Sequence, residues 1–411
     1  MANQTVISSS HFKSALALAC KQTDPKSHVP ALGDVRLTTL TPQELLFSAS
    51  DLDSWVWARV PCLATSAINI AVSAKALTAA VKGTRKNDEF MLTQTPNGCL
   101  RVAWGATECL IPKSTERGDW LNEPSLATET TSVLQSAVVE GIEAVSYAAS
   151  ADQARYALTV VHMEAAASKY EVSFVATDGY RLAVCQRDLA GKRMIPGLDE
   201  EGVNIPIKAA RLIAIGLNWA QDDSATCRFG LTLTEPKTPE PDATKKKPKA
   251  PRPEALTFRT DDGRFVLWTR LIDEAFPQYR RVVPSDDSAE IVASTEREPW
   301  RKAVEQLASM PNQGHSVVHH WSDTLKLSAE SPDGQKNNAE VPAITTKQHG
   351  PVTKYDKTIE AVLAYNGRYL AEALGAMAGQ QVEVRVTYRA PLKLWSPDDP
   401  KTVACIMPQL N

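Results

Sequence analysis

One strand-to-helix step recurs three times along this chain, and that recurrence restricts the fold more than any single motif does. The copies are Ile68-Asn69-Ile70-Ala71-Val72-Ser73-Ala74-Lys75-Ala76-Leu77, Val203-Asn204-Ile205-Pro206-Ile207-Lys208-Ala209-Ala210-Arg211-Leu212 and Val362-Leu363-Ala364-Tyr365-Asn366-Gly367-Arg368-Tyr369-Leu370. Alternating aliphatic residues mark each strand, and Leu77, Leu212 and Leu370 begin the apolar stripe of the helix that follows. A second helical pattern also recurs, in Phe12-Lys13-Ser14-Ala15-Leu16, Leu134-Gln135-Ser136-Ala137-Val138 and Trp300-Arg301-Lys302-Ala303-Val304. Each is an apolar residue, two polar residues, Ala and an aliphatic, which makes one apolar face at helical spacing. Amphipathic helices resemble one another by chance, so neither match carries weight alone. Both kinds, in the same order in all three units, point to triplication.

The units begin near residues 1, 127 and 287, giving expected domains 1–126, 127–286 and 287–411. Two helices per unit, set among short alternating strands such as Glu44–Ala49 and Gln381–Val386, predict an α+β fold in which the helices pack on antiparallel sheets. Two stretches break the pattern. Pro236–Pro253 (PKTPEPDATKKKPKAPRP) has the composition of a solvated loop between strands, and its five lysines read more simply as a spacer than as a DNA contact. Gly334–Lys357 is polar with little periodicity and is expected to be a second extended loop.

Net charge is only −3, so any nucleic-acid contact has to come from local clusters of Lys and Arg. The seven cysteines, Cys20, Cys62, Cys99, Cys109, Cys185, Cys227 and Cys405, are scattered and odd in number, with no CxxC pair. That usage suits a reduced, cytoplasmic protein. Met1–Thr5 shows no basic region leading into an apolar core, and no apolar run approaches membrane-spanning length, so neither a signal peptide nor a span is expected.

Basic residues lie away from the apolar stripe on most of the expected helices. Lys13 and Lys21 belong to the first and Lys75 and Lys82 to the second, with Arg85 and Lys86 just after it. Lys208 and Arg211 open the fourth, Arg301 and Lys302 the fifth, and Arg368 the sixth. The third, expected over Ser132–Ala148, has none. Taken singly, each is an ordinary solvated side chain. Recurrence in five of six helices favours a shared basic surface reaching phosphates without reading sequence. No helix-turn-helix, zinc-finger or aromatic-platform spacing accompanies it.

The densest motif is Phe174-Val175-Ala176-Thr177-Asp178-Gly179-Tyr180-Arg181-Leu182-Ala183-Val184-Cys185. Two strand-like runs flank an Asp-Gly turn that carries an aromatic ring and a guanidinium, a pair suited to gripping another protein. This run resembles a signature of the bacterial replicative sliding clamps, the beta subunits of DNA polymerase III. Val29-Pro30-Ala31-Leu32-Gly33 with Ser50–Asp53, Arg155-Tyr156-Ala157-Leu158, Phe276–Pro284 and Thr402–Pro408 are similar to further segments of that family, so the resemblance covers nearly the whole chain. It implies a non-catalytic processivity factor without metal or cofactor, a head-to-tail homodimeric ring around duplex DNA, and action in the cytoplasm at the nucleoid. Six domains would then set twelve helices around the hole. Partners would be the polymerase alpha subunit, the clamp loader and other proteins bearing a short linear peptide.

Carried over by position, the peptide pocket would use Leu158, Thr177, Gly179, Tyr180, Arg181, Leu182, Pro277, Arg281, Val282, Asn366, Tyr369, Pro391, Cys405, Ile406, Met407 and Pro408. Apolar walls would bury Leu or Phe anchors while Arg and Asn satisfy polar groups. The DNA surface would use Lys13, Lys21, Lys26, Lys75, Lys82, Arg85, Tyr156, Lys208, Arg211, Arg301 and Lys302. Lys26 falls where the family has a loop Arg, and Tyr156 is the remaining aromatic beside Ala157. Departures from the family include Tyr180 in place of a frequent His, and Gln409-Leu410-Asn411 in place of an apolar residue, Arg and Leu. These and the Pro/Lys-rich insertion mark a divergent member.

Two other classes compete. His315, His319 and His320 offer an i, i+4 pair for zinc on a helix. Ser316-Val317-Val318 and Trp321 instead suggest a strand, where that spacing is too wide for a shared metal. No GxxxxGK[ST], nucleophile elbow or HExxH is present. A monomeric peptide-binding adaptor that never encircles DNA stays open on sequence alone.

Overall fold

The computed structural model describes residues 4–114, 120–166, 170–189, 195–220, 226–233, 252–309, 316–321, 324–348, 362–387 and 389–409. All six expected helices form: α1 Ser9–Cys20, α2 Ala74–Ala80, α3 Gln135–Val145, α4 Ile207–Ala220, α5 Arg297–Ala308 and α6 Gly367–Ala376. The three repeated steps are present as strands Asn69–Ser73, Val203–Pro206 and Val362–Asn366, each running directly into α2, α4 or α6. The described residues divide into two compact units, one drawn from 1–139, 190–198 and 208–271, the other from 140–189, 199–207 and 272–411.

The first unit contains two antiparallel sheets. An eight-stranded sheet runs Thr131–Leu134, Thr226–Leu233, Pro253–Thr260, Phe265–Arg270, Ser54–Pro61, Glu44–Ser50, Asp34–Thr41, Asn69–Ser73. A five-stranded sheet runs Leu63–Ala64, Thr5–Ser8, Glu89–Gln94, Cys99–Trp104, Thr107–Pro112. Helix α1 begins because the Ser8 side chain accepts a hydrogen bond from His11 N at 3.3 Å. Its buried face is Phe12, Ala15, Leu16 and Ala19. Phe12 is fully buried and meets Phe47 of one sheet and Phe90 of the other edge-on, both at 5.1 Å, which ties the two sheets to a single core.

The second unit is organised on one thirteen-stranded sheet. Its order is Val203–Pro206, Val160–Ala165, Glu171–Thr177, Arg181–Asp188, Asp399–Ile406, Leu392–Ser396, Gln381–Val386, Ile291–Glu296, Lys336–Gln348, Thr324–Glu330, Ser316–Trp321, Val362–Asn366, Pro408–Gln409. Helices α5 and α6 bury Trp300, Val304 and Leu307 with Leu370 and Leu374 in a core shared with Tyr365, Val382 and Ile406.

Three expectations change. Gly334–Lys357 is not a loop where it is described: Lys336–Gln348 is a thirteen-residue strand that pairs with Thr324–Glu330 and then with Ile291–Glu296. Its sheltered positions include Asn337, Ala339, Val341 and Ala343, so the period-2 signal is carried mostly by small and polar side chains. Gly334 and Gln335 belong to the turn before that strand, while residues 349–357 and nearly all of Pro236–Pro253 lie outside the described residues. Helix α3 starts at Gln135, because Thr131–Leu134 is claimed by a ladder with Thr226–Leu233. Helix α2 ends at Ala80, which leaves Lys82 beyond it, and Lys21 is the C-cap of α1.

Ser316–Trp321 is a strand, and His319 and His320 point to opposite faces of it. His315 lies outside the described residues, and among those described no cluster of His, Cys, Asp and Glu could hold a metal ion. No described helix is long and apolar enough to cross a membrane. His319 is buried, donates from Nδ1 to Val317 O at 3.0 Å and accepts from Trp300 Nε1 at 3.4 Å. Burial pushes its pKa down to about 4, against the hydrogen bond to Val317, which acts upward. The unfolded chain takes up this proton near pH 6.5 while the folded chain refuses it until about pH 4, so stability falls across that window as pH drops. In urea unfolding followed by tryptophan fluorescence, His319→Phe should remove roughly 3 kcal/mol of the loss between pH 7 and pH 4. An unchanged pH slope contradicts the assignment.

Candidate functional site

Strands Glu171–Thr177 and Arg181–Asp188 form a hairpin whose turn is built by its own side chains. Asp178 Oδ1 accepts from the N–H groups of Tyr180 (2.9 Å) and Arg181 (3.0 Å). Thr177 Oγ1 accepts from Gly179 N at 3.1 Å and donates to Arg181 O at 2.6 Å. Gly179 has φ +90°, a conformation that side-chain-bearing residues rarely adopt. Arg155 Nη1 donates to Asp178 O at 2.9 Å, and its guanidinium lies 5.6 Å from the Tyr180 ring centre.

Arg181 is not a loose surface cation. Its side chain is only 10% exposed, donates from Nε to Asp178 Oδ2 at 3.0 Å and is bonded through Nη1 to Glu372 of α6. Its guanidinium lies 4.3 Å from the Tyr369 ring centre and 5.5 Å from that of Tyr147. Burial raises the pKa of the Tyr147 phenol above its ordinary value, so the ring stays neutral beside the cation.

The C-terminal strand Asp399–Ile406 pairs with Arg181–Asp188 in the register Arg181↔Ile406 and Leu182↔Cys405, and Met407 N then donates to Tyr180 O at 2.8 Å. These elements, with the 3₁₀ turn Tyr279–Arg281, enclose an apolar cavity of about 150 Å³. Ten of the sixteen expected peptide-site residues line it: Leu158, Thr177, Gly179, Arg181, Leu182, Pro277, Val282, Pro391, Cys405 and Met407. Beneath it, Val175, Leu182, Tyr279 and Cys405 form a buried apolar cluster. Burial pushes the Cys405 thiol up to about 12, which makes it an apolar wall group and not a nucleophile.

The other six take different places. Tyr180 is 54% exposed on the turn, and Arg281 is exposed beside the cavity. Asn366 caps α6, accepting from Tyr369 N at 3.2 Å, and Tyr369 stacks on Arg181. Ile406 is 1% exposed in the core of the second unit. Pro408 pairs with Tyr365 in the last ladder. Gln278 and Tyr279 line the cavity and were not singled out from sequence. Both sit inside the Phe276–Pro284 motif, and that was the only signal for them.

The expected DNA-surface residues fall into two sets. Lys21, Lys26, Lys75, Lys82, Arg85, Arg211 and Lys302 are exposed, as is Tyr156. Lys13 donates to Thr84 O at 2.6 Å and Lys208 pairs with Asp51 at 2.6 Å. Arg301 is held between Glu298 (2.9 Å) and Glu305, and Arg368 by Glu372 at 3.2 Å. Those two arginines already have their charge matched on their own helices.

Comparison with known proteins agrees with this geometry. Residues 132–278 match the family model of the DNA polymerase III beta subunit, central domain. The beta sliding clamp of Rickettsia bellii is 22% identical across 98% of this chain and 99% of its own length. That of Pseudomonas aeruginosa is 25% identical over 61% of this chain and 57% of its own. The crystal structure of the C. crescentus beta sliding clamp superposes with TM-score 0.79 at 20% identity, covering 99% of each chain. A Bartonella birtlesii sliding clamp superposes with TM-score 0.80 at 19% identity, again covering 99% of each. Over nearly its whole length the chain is similar to bacterial sliding clamps, and its residues 132–278 match the central domain of that subunit. As a sliding clamp it is a processivity subunit of DNA polymerase III and not a catalyst.

In this clamp the guanidinium of Arg181 joins the turn to α6. Removing it takes the guanidinium from Asp178, which keeps two backbone N–H donors, and from Glu372, which keeps Arg368, so the loss is about 2 kcal/mol. Arg181→Ala should lower the urea midpoint accordingly. Arg181→Lys should restore little, because an ammonium cannot stack on Tyr369 while reaching both acids. Full recovery with Lys overturns this account.

Proposed function

We propose that the apolar cavity is the docking site for short linear peptides of the polymerase, the clamp loader and other DNA-processing partners, and that the chain works as a head-to-tail homodimeric ring threaded on duplex DNA in the cytoplasm. The cavity carries the first part of this reading. Its walls are Leu158, Leu182, Val282 and Met407, and Val282 and Met407 are themselves exposed at its rim. Burying a Leu or Phe anchor there is worth about 1.5–3 kcal/mol per side chain, so two anchors give modest, exchangeable binding. The Bartonella birtlesii clamp was crystallised bound to griselimycin, and we propose that this compound competes for the cavity. With Met407 and Pro408 both changed to Ala, affinity for a peptide ending in Leu-Phe should fall about tenfold by fluorescence polarisation, with the dimer mass unchanged. Undiminished affinity, or no competition by griselimycin, removes the cavity from the reading.

The ring is supported by the repeats, which we read as three clamp domains at 1–126, 127–286 and 287–411. A heterologous contact that closes after two copies gives sixfold pseudo-symmetry. Among the described residues, strand Thr107–Pro112 pairs on one side only and carries Leu110 at 59% exposure. Ile344 on Lys336–Gln348 is 68% exposed. The first is an unpaired strand edge suited to joining copies edge to edge, whereas Lys336–Gln348 is held in two ladders and offers Ile344 only as an exposed apolar side chain. The exposed cations Lys21, Lys26, Lys75, Lys82 and Arg85 are the proposed phosphate contacts in the first domain. A threaded ring should persist on nicked circular DNA at high salt and slide from linear DNA, whereas a charge-only binder leaves both as salt rises. Reversing charge at Lys75, Lys82 and Lys208 should impair loading or retention on circles. Equal loss from circles and linear DNA overturns the ring.

A further inference from the structure

The second unit contains a buried polar cluster that neither the repeats nor the motifs announce, and it runs along the back of the cavity wall. His162 and Glu164 project from the same face of strand Val160–Ala165, and Asn204 stands opposite His162 in the ladder with Val203–Pro206. All three are buried. The Asn204 amide donates its NH₂ to the carbonyls of Ile272 (3.3 Å) and Glu274, and its backbone O accepts from Ile272 N at 3.0 Å. Its Oδ1 therefore accepts from His162 Nδ1 at 2.8 Å. The His162 ring lies flat against Phe276, with centres 4.4 Å apart and planes 5° from parallel. Glu164 takes the next contacts along: Tyr279 donates its hydroxyl to Oε1, Arg280 Nη2 donates to the same oxygen at 2.6 Å, and His162 Nε2 lies 3.3 Å from Oε2.

Residues 272, 274, 276, 279 and 280 are thus fastened in order to three side chains of two neighbouring strands. The fastened segment is the one that supplies Pro277, Gln278, Tyr279 and Val282 to the cavity. Gly202 completes the fit. It has φ +69°, and a Cβ there would lie 2.6 Å from Met163 O and 2.7 Å from the His162 ring. Burial acts to raise the Glu164 pKa, yet the neighbouring His162 and the donors Tyr279 and Arg280 hold it below the usual carboxylate range, so the anchor is anionic at neutral pH.

We propose that Glu164, with His162 and Asn204, is the positioning anchor of the peptide pocket: it touches no peptide but fixes the Phe276–Val282 wall in its binding shape. This rests on the cavity being the peptide site. The test combines fluorescence polarisation with a fluorescein-labelled peptide ending in Leu-Phe and amide hydrogen exchange of the free protein. The variants are Glu164→Gln and the pair Tyr279→Phe with Arg280→Ala, the latter leaving the buried strand intact should the former fold poorly. Each should raise the peptide Kd about tenfold, or roughly 1.4 kcal/mol. Each should also speed exchange of the Val282 amide, bonded to Tyr279 O at 2.9 Å, by tenfold or more, with strand Arg181–Asp188 as protected as before. Wild-type affinity in both variants overturns the anchor. So does faster exchange spread evenly over Arg181–Asp188, since that marks a general structural role. Wild-type protein that fails to bind the peptide sinks the pocket reading itself, and the positioning role with it.

Discussion

The pocket exists because one antiparallel ladder joins strand Arg181–Asp188 to strand Asp399–Ile406. That pairing draws the C-terminal strand onto a hairpin from the middle of the chain and sets Leu182 directly opposite Cys405. Opposed residues in an antiparallel pair share a face, so this couple becomes a cavity wall while Ile406, one step on, faces the core; Arg181 opposite it, at the turn, still borders the cavity. The alternation explains why Cys405 lines the cavity and Ile406 enters the core, although a motif read along the sequence names both. It also explains the position of Arg181. Its backbone belongs to the turn, but its guanidinium reaches Glu372 and Tyr369 of α6, and this coupling gives the turn its rigidity.

A second constraint acts from behind. The wall segment 276–282 has only one short 3₁₀ turn of its own, so local hydrogen bonding fixes little of its shape. The cluster of Asn204, His162 and Glu164 supplies what the segment lacks, and these three side chains are themselves shielded from water. In such surroundings a satisfied network resists deformation and a half-satisfied one is costly, so the wall has one favoured position. In the proposed role a peptide would meet a formed groove, and little of its binding energy would go into ordering the receptor.

Much of this was legible in the sequence where periodicity was strong. The stripes starting at Leu77, Leu212 and Leu370 mark real helices, and the Asp178-Gly179 hairpin has the turn chemistry its residues imply. What was not legible shares a physical cause: tertiary partners override the local pattern. Lys336–Gln348 hides Asn337, Ala339 and Ala343 instead of large aliphatics, so it reads as polar loop although two ladders hold it. His162 and Glu164 alternate along a strand in the way solvent-facing residues do, and only the segment folded over them makes them interior. Arg181, at a turn, has the look of an exposed grip until α6 arrives from the far end of the chain.

The cations illustrate the same principle with a functional consequence. Sequence gives every helical Lys and Arg equal weight, but Arg301 and Arg368 carry acids three or four residues away and spend their charge along their own helices. The exposed set that remains in the first unit is small for a chain of net charge −3. For a protein that had to grip DNA by affinity, so few phosphate contacts would be a defect, because binding weakens steeply with salt for each contact relied upon. For a threaded ring they suffice. In the proposed ring, closure would prevent escape, and contacts that are individually weak would let it move along the duplex without a deep minimum at any one register.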